Sequence, residues 1–131
     1  MSKYNARKVE IDGYSFSSKI ESEYYLYLKE QCKKGQIGDF TTQPRYLLQD
    51  KFKKNGKSFR KIEYVADFEV MHRDGSIEVI DIKGFVTETA KLKFKLFERM
   101  YNYKLTLLTY VKKHGGWVEL EELKRLRKVN K

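Results

Sequence analysis

Two strand-like runs lie close together in this 131-residue chain: Tyr64-Val65-Ala66-Asp67-Phe68-Glu69-Val70 and Glu78-Val79-Ile80-Asp81-Ile82-Lys83-Gly84. Both place charge inside apolar stretches, where an ionised group is costly unless something pairs with it. Residues two apart on a strand share a face, so Asp81 and Lys83 project together. That requirement constrains the fold more than any other feature of the sequence.

The register of the two runs decides which charges meet. A two-residue Asp74-Gly75 turn would set Phe68 against Asp81 and mix charged with apolar residues on both faces. A three-residue loop, Arg73-Asp74-Gly75 with Gly75 left-handed, shifts the pairing by one. Phe68 then faces Ile80, Ala66 faces Ile82, Asp67 lies across from Asp81, and Lys83 lies opposite Val65. Burial penalises the mixed register, so the sequence predicts the second. Directly opposed residues have Cβ atoms roughly 4.5–5.5 Å apart, and two carboxylates that close repel unless a cation bridges them. The expected occupant is a hard, oxygen-seeking divalent ion, Mg2+ or Mn2+. An Asp-x-Lys triplet alone is also what a half-exposed strand carries as a surface ion pair. The opposed Asp67, and the lack of other charge between Val79 and Ile82, favour a site.

Composition narrows the partners. Lys and Arg total 28 against 18 Asp and Glu, a formal charge of +10, which favours polyanions and nucleic acid first. Hydrophobic residues make up 40% and aromatic residues 15%, which suits a globular α/β protein and excludes a disordered one. The length predicts one domain over residues 1–131, with an N-terminal arm or short strand at 1–16 and a basic C-terminal extension at 112–131. A sole cysteine, Cys32, excludes an internal disulfide and a thiolate zinc site, and is expected to be a small buried apolar residue. No secretory signal, membrane-length apolar run or lipidation motif is visible, so a soluble cytoplasmic protein with no membrane partner is expected.

Along the chain, Ser18 and Glu21 form a capping-box pattern that opens a helix ending near Lys34-Gly35. Gln43 to Lys54 and Lys57 to Arg73 flank Asn55-Gly56, a type I′ hairpin signal. A strand over Ile77–Lys83 follows. Thr87 to Tyr103 is predicted helical, with Leu92, Leu96 and Met100 at helical spacing. Leu105 to Val111 reads as a buried strand, His114 as a turn residue and Trp117 as a core or interface anchor. A short charged helix from about Val118 ends in Lys124, Arg125, Arg127 and Lys128. This order gives a mixed central sheet flanked by helices.

A third acid comes from helical phase. At about 100° per residue, Ile20, Tyr24, Tyr25, Tyr27, Leu28 and Cys32 form one apolar arc. Glu21 falls within it and Glu23 outside. An inward glutamate suits a metal cluster on the sheet, and alternatively only completes the capping box with Ser18.

The set Glu21, Asp67, Asp81-Ile82-Lys83 resembles the PD-(D/E)XK nuclease superfamily, with its restriction-endonuclease-like fold. It is closer still to a small phage and prophage family, the domain-of-unknown-function 1064 type, described as Holliday junction resolvase-like. The shared features are Ser18-Lys19-Ile20-Glu21, Gln43-Pro44-Arg45, Ala66-Asp67-Phe68, Asp81-Ile82-Lys83-Gly84, and Thr87, Lys91 and Lys93 on the following helix. They run in order over roughly residues 15–110. Ala66 replaces the family's usual proline, and the last twenty residues match nothing in it.

The resemblance implies a Mg2+- or Mn2+-dependent DNA endonuclease with Glu21, Asp67, Asp81 and Lys83 as catalytic residues. Asp67, Asp81, the Ile82 carbonyl and Glu21 would hold metal. Lys83 would orient the attacking water and stabilise charge on the phosphate. Gln43, Lys53, Lys54, Lys57, Arg60, Thr87, Lys91 and Lys93 are expected DNA contacts, with solvated lysines and a helix cap as the plain alternative for several. A branched duplex is the expected substrate and a homodimer the expected assembly, in a bacterial host cytoplasm if phage-encoded. A nicking or flap repair nuclease, and a non-catalytic basic DNA-binding module, are the competing readings.

Overall fold

A computed structural model describes residues 8–114 and 116–129. Residues 1–7 of the expected N-terminal arm, and Gly115 and residues 130–131 of the expected C-terminal extension, lie outside the described residues. The described chain runs β1 (Val9–Ile11), β2 (Tyr14–Phe16), α1 (Lys19–Lys33), β3 (Asp39–Thr42), β4 (Arg45–Gln49), β5 (Phe52–Lys54), β6 (Lys57–Phe59), β7 (Ile62–Val65), β8 (Phe68–Met71), β9 (Ile77–Ile82), α2 (Glu88–Met100), β10 (Lys104–Val111), a 3-10 turn (Lys112–His114), β11 (Gly116–Glu119) and α3 (Leu120–Val129). It is an α/β fold with a mixed sheet, as the element order predicts.

The central sheet has the order β11-β10-β9-β8-β3. β9 and β10 run parallel, joined through α2, and the other neighbours are antiparallel. Alternation along β9 assigns its two faces. Ile80 and Ile82 point into a cluster with Phe68, Val70, Leu108 and the Tyr24, Tyr25 and Leu28 face of α1. Val79 points the other way, into a cluster with Tyr46, Tyr64, Ala66 and Phe97 of α2. Covered on both sides, β9 is buried from Val79 through Ile82.

The β8–β9 register is the one that face-matching predicts: Phe68 pairs with Ile80. Arg73-Asp74-Gly75 forms the loop, closed by the His72 N–H to Ser76 carbonyl bond at 2.8 Å, with Gly75 at φ +88°. The Asp74 carboxylate accepts from the Ser76 N–H and hydroxyl, which lowers its pKa below the usual range.

Beyond Phe68 the expected pairing fails. Gln43 takes a left-handed φ of +57°, unusual for a residue with a side chain, and kinks its strand. The antiparallel contact between the two strands survives the kink, through Gln43 N–H to Asp67 O at 2.8 Å and Ala66 N–H to Pro44 O at 3.1 Å. The outer half of this ribbon, β4 with β7, therefore swings out of the central sheet. Val65 pairs with Arg45 rather than Lys83, and Ala66 joins the α2-side cluster rather than facing Ile82.

Other corrections concern faces and short strands. Tyr27 is 45% exposed and Cys32 half-buried, so the apolar arc of α1 is narrower than its spacing predicts. On α2, Leu92 and Met100 are exposed, and the inward residue is Phe97, flanked by the half-buried Phe94 and Leu96. The arm contains a hairpin, β1–β2, turning on Asp12 and Gly13 at φ +53° and +83°. β3 and β11 are strands that the sequence pattern does not predict. β11 begins at Gly116, ahead of α3, and its half-buried Trp117 sits edge-on to Tyr24 with ring centroids 4.8 Å apart.

Candidate functional site

The kink at Gln43 builds the site. Where β9 runs on past its pairing with β8, the Ile82 N–H donates to the Asp67 carboxylate, Oδ2 accepting at 2.7 Å. Asp67 thus ends the ladder as a side-chain substitute for a strand bond. The N–H and C=O of a strand residue point to the same side, so the Ile82 carbonyl also faces the Asp67 strand.

Asp81, one residue back along β9, is 2% exposed. Its Oδ2 accepts from the Tyr64 hydroxyl at 2.6 Å and lies 3.5 Å from the Lys83 ammonium. Burial, followed by the charges of Asp81 and Asp67, drives the Tyr64 pKa far above its ordinary value, so the phenol is a fixed donor. Both interactions use Oδ2. Tyr64 was missed from sequence because it fits the apolar alternation of its strand. Its signal was the polar tip that a buried tyrosine has to satisfy.

Glu21 is buried at 4% exposure while Glu23 is exposed, as helical phase predicts. Its carboxylate accepts from the hydroxyls of Ser17 and Ser18, and its N–H donates to Ser18 Oγ at 3.2 Å. Glu21 therefore does complete a cap, one in which serine hydroxyls replace the backbone donor of the usual box.

Lys83 reaches past Asp81 into a pocket of about 250 Å3 that it lines with Tyr64, Val65, Thr87, Lys93 and Phe94. Its ammonium stands 5.9 Å from the centre of the Phe94 ring. Thr87 caps α2, its hydroxyl accepting the Ala90 N–H at 3.1 Å. Lys91 is outside this pocket and pairs with Glu88 at 3.0 Å. Gln43 donates its side-chain amide to the Ser15 carbonyl at 2.7 Å. Lys53, Lys54, Lys57 and Arg60 lie on or beside the β5–β6 hairpin, all exposed. In the C-terminal basic cluster, Lys124 and Arg125 pair with Glu121 and Glu122 of the same helix.

By donor type, two carboxylates and a strand carbonyl, Asp67, Asp81 and Ile82 suit a hard divalent cation. Among the described residues no group of three or more His, Cys, Asp or Glu stands ready to hold a metal, and the Glu21 carboxylate is turned to its own cap.

The model of the family described as "Protein of unknown function (DUF1064)" matches residues 1–116. The chain belongs to that family. The matched segment takes in Glu21, Asp67, Asp81, Lys83 and the β5–β6 hairpin, and stops just before Trp117. No curated protein matches the chain. Among the described residues no helix is long and apolar enough to cross a membrane.

Proposed function

We propose that this protein is a metal-dependent DNA endonuclease of the PD-(D/E)XK type, acting by preference on branched duplexes. The observation that carries the reading is that Asp67 bonds the Ile82 N–H while Asp81, the preceding residue, lies 3.5 Å from the Lys83 ammonium. A bound Mg2+ or Mn2+ ion would neutralise phosphate charge and make a bound water more acidic. Asp67, Asp81 and the Ile82 carbonyl would hold it, with Glu21 reaching it through water.

The Lys83 ammonium lies 3.5 Å from Asp81 Oδ2, placed to orient water and stabilise charge on the phosphate. Tyr64 fixes the Asp81 rotamer by its hydrogen bond. Thr87 and Lys93 line the same pocket at the start of α2, where backbone N–H groups favour a phosphate. Lys53, Lys54, Lys57 and Arg60 supply sequence-independent grip on the DNA backbone.

Purified protein with Mg2+ is expected to cut a four-way junction faster than a linear duplex, and Asp81→Ala to abolish cutting while junction binding persists. Binding without cleavage in Mg2+ and Mn2+ overturns the enzyme reading. Equal cutting of linear duplex overturns the branched-substrate reading. A basic DNA-binding module without cleavage is the second reading, favoured by the engagement of the Glu21 carboxylate by Ser17 and Ser18.

A further inference from the structure

The β5–β6 hairpin stands out from the rest of the fold. Every residue from Gln49 to Lys61 is exposed, and the β5–β6 ladder joins no other strand. At its Asn55-Gly56 tip the turn has φ values of +52° and +75°, the type I′ geometry that suits a two-residue loop. Lys51, Lys53, Lys54, Lys57, Arg60 and Lys61 crowd this segment, with Asp50 its one acid. A surface of that charge fits a polyanion.

Two phenylalanines sit within this basic arm. Phe52 and Phe59 are directly paired across the strands, their rings stacked with centroids 4.7 Å apart and planes 9° from parallel. They are 44% and 38% exposed, and the Lys57 ammonium lies 5.7 Å from the Phe59 ring centre. A bare hairpin needs some cross-strand contact to hold together, and an aliphatic pair meets that need. Aromatic rings set among lysines do something more. They offer faces on which bases stack while the cations track the phosphates, the combination by which proteins hold single-stranded nucleic acid.

We propose that the Phe52–Phe59 pair is a stacking platform for unpaired nucleobases, and that this hairpin selects single-stranded or locally opened nucleic acid over intact duplex. The inference shares with the proposed function only its nucleic-acid partner. It does not depend on cleavage, because the platform lies on an arm separate from Asp67 and Asp81.

The test is metal-free equilibrium binding to labelled strands of roughly 20 nucleotides, longer than a typical single-strand site. The probes are single-stranded DNA, the same DNA as duplex, and the corresponding single-stranded RNA. The double substitution Phe52→Leu with Phe59→Leu keeps an apolar cross-strand pair but removes both aromatic faces. It is expected to weaken single-strand binding by about tenfold or more while duplex binding changes less than about twofold. Loss on both DNA and RNA strands, or on DNA alone, supports the platform and says which strand it takes. Phe59→Trp is expected to retain affinity and to lose indole emission when a single strand is added. Unchanged single-strand affinity in the leucine variant, or equal losses on strand and duplex, overturns the proposal. So does a change confined to sedimentation, which would mark the rings as a contact between copies. An unchanged thermal unfolding curve confirms that the hairpin substitutions leave the core intact. Junction cutting together with unchanged single-strand affinity in the leucine variant fails the platform and leaves the nuclease reading standing. Stacking without any cutting does the reverse.

Discussion

The Tyr64 hydroxyl donates a 2.6 Å hydrogen bond to Oδ2 of Asp81 and so links two strands that share no ladder. Tyr64 lies on β7, paired with β4 outside the central sheet, whereas Asp81 lies on the buried strand β9. The bond fixes the orientation of a carboxylate that has almost no exposure and whose other named partner is the Lys83 ammonium. It also ties the outward-swung ribbon to the sheet it has left.

Tyr64→Phe removes that donor with little change of shape. A buried acceptor deprived of a partner costs about 1–3 kcal/mol, so the thermal midpoint is expected to fall by several degrees. If Asp81 holds a cation, loss of the group orienting it lowers metal affinity or activity by about 10–100-fold. A Mg2+ titration of junction cleavage, run beside thermal unfolding, separates the two effects.

Alkaline pH tests the same bond. Burial, then Asp81 and Asp67, raises the folded-state pKa of Tyr64 far above the unfolded value near 10. A raised folded pKa contributes stability that is present below about pH 10 and is lost as pH climbs toward the folded value. Urea midpoints are expected to decline more steeply between roughly pH 10 and pH 11 in the native protein than in Tyr64→Phe. Identical declines would mean that Tyr64 is not held protonated by burial.

The capped glutamate offers a cleaner separation of structure from chemistry. Glu21→Gln retains an amide oxygen for the Ser17 and Ser18 hydroxyls and should leave stability within about 1 kcal/mol of native. Ser18→Ala, which removes the cap itself, should cost about 1 kcal/mol. If Glu21 serves a metal, Glu21→Gln loses cleavage despite its stability. If it serves only the helix, cleavage survives and Ser18→Ala is the more damaging change by thermal unfolding.

What the sequence made legible follows from burial. The Arg73-Asp74-Gly75 loop and the Phe68–Ile80 pair were readable because the alternative register would have put charge into both apolar faces. Glu21 was separable from Glu23 by helical phase for the same reason. The departure of β7 was not readable, since it turns on one left-handed residue, Gln43, whose type gives no local signal. The stripe on α2 went wrong because Leu92 and Met100 are helically spaced yet face water, while Phe97 meets Tyr46 and Tyr64 from a ribbon whose position depends on that same kink. Asp12-Gly13 carries a turn signal, inside a segment whose composition suggests an arm or a single short strand rather than a hairpin.

Hairpin charge gives a prediction independent of the aromatic platform. Each phosphate contact contributes about −0.9 to the slope of log affinity against log salt for duplex DNA. Replacing Lys53, Lys54 and Lys57 by Gln should therefore flatten that slope by up to about 0.9 per lysine in contact, with no change in relative affinity among duplex sequences. A slope equal to that of the native protein would remove these residues from the interface.

Asp67 carries two jobs that substitution can pull apart. Its carboxylate accepts from the Ile82 N–H, and its charge, together with that of Asp81, acts on the Tyr64 phenol. Asp67→Asn keeps an oxygen acceptor for that N–H and loses the charge. Asp67→Ala loses both, and deleting the acceptor of a part-buried backbone N–H costs about 1–3 kcal/mol. Thermal unfolding is expected to place the asparagine variant near the native protein and the alanine variant well below it. Under the proposed function both variants fail to cut a junction in Mg2+, because an amide neither neutralises a cation nor binds it as a carboxylate does. An asparagine variant that cuts at the native rate would confine Asp67 to closing the ladder, and the metal would then have to be sought at Asp81 without it.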